Sequence, residues 1–355
     1  GCCIRRCRKE KLSAVFGKGK SNKAMEKGTN VTDRPQGAPD FVVGSYLVVI
    51  GTLGSLLNSL LLVMYFRMGS SLNPTSLLLI NLLVSDLGIL LFGFPFSASS
   101  SFHGSWLFED WGCQLYAFLG FLFGSAHIGT LTFLALDRYL ATCRVEFRGK
   151  LTYKRYLQLI LTVWCYSFFW AAMPLLGWGS YDVEPSLQSC TINWRKNDIA
   201  YKSFTIVYFI LGYVAPLLIV IVCYRSSAIH ILAPRVPNRA ADSWANEDTV
   251  TWMVVLIILS FFVAWTPYAL LCMWAVFGDP RSVPWILALI PPLCAKTCSA
   301  VDPFIYFLSN PKIRADVRKL LSYERHTIQD VARPQDVDTP DEDHGGASGK
   351  LAWHM

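Results

Sequence analysis

Seven long apolar stretches dominate the sequence, each close to the ~20 residues that a helix needs to cross a bilayer. They run roughly Phe41–Phe66, Ser76–Phe96, Cys113–Leu136, Tyr156–Trp178, Tyr201–Tyr224, Val250–Phe277 and Pro284–Leu308. In lipid every backbone N–H and C=O must be satisfied internally, so stretches of this length fold as helices. Composition agrees, because only 16% of the 355 residues are charged and 53% are apolar. Soluble domains carry about 25% charged residues. The expected fold is an all-α membrane protein, a seven-transmembrane helix bundle, with no internal repeat and no separate soluble domain.

Loop charges orient the bundle. Alternate connections carry Arg67, then Arg138, Arg144, Arg148, Lys150, Lys154 and Arg155, then Arg225, Arg235 and Arg239. The segment after the seventh stretch adds Lys312, Arg314, Arg318, Lys319 and Arg325, whereas the opposite loops offer little beyond Arg195, Lys196 and Arg281. Basic loops stay cytoplasmic, so the N-terminus is expected outside and the C-terminus inside. The first forty residues are basic and begin GCCIRRCRKE, as an acylated cytoplasmic segment would. Long tails cross regardless of charge, and the Asn30-Val31-Thr32 glycosylation sequon fits the outside. Ile313, Val317, Leu320 and Leu321 recur at helical spacing among basic residues, which predicts an amphipathic helix on the inner membrane surface. The chain thus divides into an extracellular tail over 1–40, the bundle over 41–308, the amphipathic helix over 309–325 and an acidic, disordered cytoplasmic tail over 326–355.

Within VPWILALIPPLCAKTCSAVDPFIYFL, Lys296 is the only Lys or Arg between Val283 and Leu308. A charge at the centre of a membrane helix costs at least ~2.5–3.5 kcal/mol on insertion scales, so such residues are rare and usually functional. A desolvated lysine loses its proton readily, and the neutral amine condenses with an aldehyde to a Schiff base. Lys296 therefore predicts a covalent carbonyl-ligand site inside the bundle.

Other polar residues carry two readings each. Asn58 in the first stretch is ordinary interhelical glue. Asp86 in the second reads either as part of a hydrated polar network that holds a sodium ion or as a structural hydrogen-bonding group. Cys113 and Cys190 both fall on the outer side, where a disulfide is permitted and would staple the loop between the fourth and fifth stretches over the bundle mouth. Asp137-Arg138-Tyr139 ends the third stretch on the inner side. It is either a helix-end charge cluster or, with Glu247, an ion-pair latch whose release frees the sixth helix. Trp265 and Tyr268 flank Pro267 three residues apart, as core packing or as the wall of a ligand cavity beside a proline kink. His127 reads as a hydrogen-bonded core histidine.

Taken together, Asn58, Asp86, Cys113 with Cys190, Asp137-Arg138-Tyr139, the AWTPY segment and Asp302-Pro303-Phe304-Ile305-Tyr306 resemble the rhodopsin-like G-protein-coupled receptors over about Phe41 to Tyr323. Lys296, six residues before Asp302, narrows the resemblance to opsins, which bind retinal there as a Schiff base. The segments CTINWRKND and FGDPRSVP look most like the peropsin and retinochrome-like branch. The resemblance implies covalently bound 11-cis or all-trans retinal, with Tyr116, Trp265 and Tyr268 around it. A protonated Schiff base is a buried cation that needs an anion nearby. Vertebrate visual pigments place that acid where this chain has Tyr116, whereas a second family position, Glu184, is acidic here. Glu184 is thus the expected counterion and Tyr116 a neutral partner.

The implied function is a light-sensing receptor that works through Arg138, Asp302, Pro303 and Tyr306. Its partners would be a heterotrimeric G protein, arrestin, a receptor kinase and membrane lipid, with no nucleic acid. It would sit in the plasma membrane of photoreceptive or retinal-support cells. The alternative is a retinal photoisomerase that supplies 11-cis retinal. A light-driven ion pump would line the third helix with acids, and none lies between Cys113 and Leu136.

Overall fold

The computed structural model describes residues 38–69, 72–147, 151–232 and 241–309, with positions 311, 314, 315, 317 and 318 beyond; for a few, among them 230–232 and 241–249, only the backbone is described. The seven stretches form seven helices: α1 Ala38–Met68, α2 Ser76–His103, α3 Glu109–Cys143, α4 Tyr153–Ala172, α5 beginning at Ile199–Phe209, α6 Ala241–Phe277 and α7 Trp285–Ser309. Six of them are long and apolar enough to cross a membrane. The seventh carries Lys296, Asp302 and the prolines Pro291, Pro292 and Pro303 within its length.

Side chains such as Leu176, Val263 and Leu308 are 75%, 75% and 71% exposed. Water would make that surface a liability, so these side chains face lipid tails. The interior holds the polar groups instead. Asn58, Asp86, His127 and Asp302 are all fully buried or nearly so. On the inner side, Leu78, Leu82, Leu131, Leu134, Met253, Ile257 and Tyr306 pack into one cluster that joins α2, α3, α6 and α7. Small residues let helices close up. A Cβ on Gly54 of α1 would lie 2.8 Å from the Ala300 Cβ and 3.0 Å from its Cα, so α1 and α7 meet almost backbone to backbone.

The fifth helix departs from a simple proline kink at Pro216. A π turn over Ile210–Val214 precedes the second α-helical part, Ala215–Leu232. Proline has no N–H and its ring crowds the carbonyl four residues back, here Gly212, and one wider turn absorbs both effects.

Between α4 and α5 lies a hairpin, β1 Tyr181–Val183 against β2 Cys190–Ile192, antiparallel with Val183 opposite Cys190. The predicted Cys113–Cys190 disulfide is formed and ties this hairpin to the outer end of α3. At the far end of α7, Arg314 donates to the Phe307 and Leu308 carbonyls, the usual service of a basic group to a helix C-terminus. Val317 is buried and belongs to the inner cluster. Asn30, Asn310, Ile313, Leu320, Leu321 and the two tails lie outside the described residues.

Candidate functional site: a lysine-bearing cavity under a hairpin lid

A cavity of about 190 Å³ runs between α2, α3, α5, α6 and α7, with the hairpin on its outer side. Its wall is mostly aromatic and aliphatic, including Phe121, Phe204, Tyr208, Phe261 and Trp265. Lys296, Glu184, Tyr116, Trp265 and Tyr268, the five residues expected around a carbonyl ligand, all line it. A cavity this apolar with a few convergent polar groups is what a hydrophobic small molecule requires.

At one end the Lys296 ammonium donates to Ser97 Oγ at 3.1 Å and sits 5.6 Å from the centre of the Tyr116 ring. Ser97 in turn shares a 2.8 Å hydrogen bond with the Tyr116 hydroxyl. Tyr116 thus stands beside the amine.

Glu184 follows β1 and hangs from the lid into the cavity wall. Its carboxylate accepts from the Ser189 hydroxyl and, at 3.4 Å, from Tyr268, whose own hydroxyl is 2.8 Å from Thr191. Burial pushes the Glu184 carboxyl above the usual carboxylate range, while the nearby Lys296 charge and the two hydroxyls pull the other way. An isolated buried carboxylate would be strongly disfavoured, and these opposing contacts are what offset its burial.

Below the cavity, Trp265 packs over Gly124, where a Cβ would lie 3.6 Å from the indole, and it stacks on Phe261 with ring centres 5.5 Å apart. Tyr268 meets Trp265 edge-on at 6.3 Å. Both aromatics sit beside Pro267, inside α6.

The inner end of α3 carries more partners than sequence reasoning supplied. Arg138 binds Asp137 through Nε at 3.0 Å and through Nη2, and reaches Thr75 at 3.4 Å. Asp137 also accepts from Thr75 at 3.2 Å and from the Tyr156 hydroxyl of α4. Tyr139 packs at the edge of the inner cluster. The Glu247 side chain, the expected far half of the latch, lies outside the described residues.

Asn58 does not touch Asp86 directly; its amide donates to the Gly54 and Ser299 carbonyls, at 2.9 and 3.0 Å. Asp86 is met by His127, with Nδ1 2.8 Å from Oδ1. The missed residues Ser97, Ser189, Thr75 and Tyr156 share one property: each acts through a hydroxyl. A hydroxyl in a helix more often bonds its own backbone, so nothing in the sequence marks these as partners.

An apolar cavity with a buried lysine, under a disulfide-held lid in a seven-helix bundle, defines a heptahelical membrane receptor. The sequence profile described as 7 transmembrane receptor (rhodopsin family) matches residues 57–306, and the chain belongs to that family. Human visual pigment-like receptor peropsin is 37% identical over 301 residues, 83% of this chain and 89% of that protein. A G0-coupled rhodopsin of Mizuhopecten yessoensis is 32% identical over 79% of this chain and 72% of its own length. The crystal structure of squid rhodopsin superposes with a TM-score of 0.75 at 27% identity, over 86% of this chain and 90% of that one.

Proposed function

We propose that this chain is a light-sensing, retinal-binding G-protein-coupled receptor in which Lys296 holds the chromophore covalently as a Schiff base. The observation that carries the reading is that one apolar cavity is lined by both a buried acid, Glu184, and Lys296, whose charge acts on that carboxyl more strongly than the charge of Arg195 does. The site fits the group, because the cavity is lined by aromatic rings suited to a polyene and its one amine stands at the end where an aldehyde must dock. Retinal, when bound, supplies the photochemistry, a double-bond isomerisation on absorbing light.

The residues of the chain do the rest. Lys296 fixes the ligand, and Glu184 balances the proton on the linkage while Ser189 and Tyr268 hold the carboxylate in place. Trp265, packed against the cavity floor and next to Pro267, receives the change in ligand shape and passes it to the kinked α6. Arg138 and Asp137 hold the inner end of α3 until α6 moves, a local switch that biases a two-state element. Asp302, Pro303 and Tyr306, all buried, give α7 its inner joint. The receptor family implies a heterotrimeric G protein, and arrestin and a receptor kinase complete the proposed set of partners. Topologically, residues 1–40 with Asn30 lie outside, 41–308 span the membrane, 309–325 lie along the inner surface and 326–355 extend into the cytoplasm of a photoreceptive or retinal-support cell.

The resemblance to peropsin favours a second output, release of 11-cis retinal by a pigment that binds the all-trans form. Difference spectra of the protein reconstituted with each isomer, followed by extraction of retinal before and after light, separate the two readings. Lys296→Ala should abolish the covalent pigment. Glu184→Gln should lower the Schiff-base pKa by roughly 1–3 units and move absorption toward the ultraviolet. An unchanged spectrum would remove Glu184 as counterion, and all-trans binding with no light-dependent nucleotide exchange on any G protein would sink the receptor reading.

A further inference from the structure

One buried cluster takes no part in the cavity chemistry. His127 of α3 stands between Asp86 of α2 and Asp302 of α7, with Cys298 one turn before Asp302 on the same helix. All four side chains are buried. Three helices therefore bring an imidazole, a thiol and two carboxylates together in the middle of the bundle, with His127, Cys298 and Asp302 around one point and Asp86 on the far side of the imidazole.

We propose that His127, Cys298 and Asp302 form a binding site for a transition-metal ion of the zinc class, with Asp86 as the outer partner that orients the imidazole. The first support is what the cluster leaves unsatisfied. His127 Nε2, Asp302 Oδ2 and Asp86 Oδ2 are buried without a hydrogen-bond partner. Nε2 and Asp302 Oδ2 face each other at 3.6 Å, beyond the ~3.2 Å limit of a good N–H···O bond. Two ligands at about 2.0 Å from a tetrahedral zinc sit about 3.3 Å apart, so that gap is close to the span of a shared ion.

The second support is the imidazole's other face. Nδ1 lies 2.8 Å from Asp86 Oδ1, and in the tautomer that donates there Nε2 keeps its lone pair and aims it at the gap. Metal-binding histidines almost always give their second ring N–H to a carboxylate in this way. The thiol completes the set: Cys298 Sγ is 4.0 Å from Asp302 Oδ1, and the imidazole nitrogen, the sulfur and a carboxylate oxygen of Asp302 all lie within 4.8 Å of one another.

Donor chemistry selects the ion. A hard cation such as the sodium expected at Asp86 favours a cage of oxygens, whereas imidazole nitrogen and thiolate sulfur suit zinc and its neighbours. A dication would offset two of the three negative charges that the two carboxylates and the thiolate carry in a medium of low dielectric. Phe261 stacks on the imidazole with ring centres 5.2 Å apart and walls the cluster off from the cavity, so exchange should be slow. An ion here would tie α3 to α7 directly.

The test uses the full-length chain without retinal, so its result does not depend on the pigment reading. The protein is produced in medium supplemented with zinc or cobalt, purified in detergent and freed of loose metal by gel filtration. Elemental analysis should find about one zinc per chain, and cobalt should give the intense visible bands of a tetrahedral site with a near-ultraviolet sulfur-to-cobalt charge-transfer band. Cys298→Ser should abolish the charge-transfer band and His127→Ala should lower retained metal at least tenfold, while Cys294→Ser leaves both unchanged. Circular dichroism of each variant confirms that the helices remain. Metal retained equally by wild type and His127→Ala, or a wild-type chain that retains none, overturns the proposal. So does a cobalt spectrum without the sulfur band.

Discussion

At the scale of single residues, Glu184 shows how one buried group couples ligand, stability and acidity. Its carboxyl is raised by burial from an ordinary value of 4.5. Above that ordinary value the folded protein holds a proton that the unfolded chain has already released, up to the raised value. The unliganded protein should therefore lose stability as pH rises through that window and regain it as pH falls. Thermal unfolding midpoints measured across the window should show this slope in the wild type and a flatter one in Glu184→Gln; equal slopes would mean that Glu184 stays ionised without penalty. Lys296 was legible in the sequence because a charge in an apolar helix stands out, whereas Glu184, in the polar segment SYDVEPSLQSC, was reached only through the resemblance to opsins. Ser97, Ser189 and the bridging role of His127 were not legible, because their partners are set by how helices turn about their axes.

At the scale of elements, the join between α3 and α4 is held by more than the Asp137–Arg138 pair. The Tyr156 hydroxyl of α4 and Thr75 before α2 both bind the Asp137 carboxylate. Tyr156→Phe should cost about 1.5–3 kcal/mol, the worth of a hydrogen bond to a charged group. It should also raise nucleotide exchange in the dark, since Asp137 then restrains Arg138 less; an unchanged dark rate with lowered stability would leave Tyr156 a purely structural tie. The hairpin lid depends on Cys113–Cys190, and Cys113→Ser should cost about 2–5 kcal/mol. Hydroxylamine, which reaches the Lys296 linkage through water, should then bleach the pigment in the dark several times faster. Helix spans were read within a few residues at most ends, because apolar run length sets them directly. Four ends were misjudged: the inner ends of α3, α5 and α6 run on to Cys143, to Leu232 and back to Ala241, past the apolar runs, and the outer end of α2 runs on from Phe96 to His103 through a serine-rich turn whose hydroxyls bond back to carbonyls one turn earlier. The π turn of α5 was invisible too, since proline announces a disturbance without saying how the backbone absorbs it.

At the scale of the whole molecule, packing rather than hydropathy decides the arrangement. Gly54 lets α1 close on the lysine-bearing helix, and Gly54→Leu has no room to relax, because the atoms it meets include the Ala300 backbone. Overpacking of this kind costs about 1–3 kcal/mol or more, and the variant should show a lowered unfolding midpoint and a faster loss of pigment on warming. The disulfide-held lid has one further consequence for the molecule in its membrane. It lies over the outer side of the cavity, yet Phe209, Gly212, Tyr213, Ala269 and Met273 bring α5 and α6 to its flank. A greasy aldehyde dissolves in lipid rather than water, so on the proposed reading its traffic would run sideways between helices. The protein then samples the supply stored in the bilayer around it, and the filling of its site follows how much aldehyde the membrane holds, not how much is free in solution.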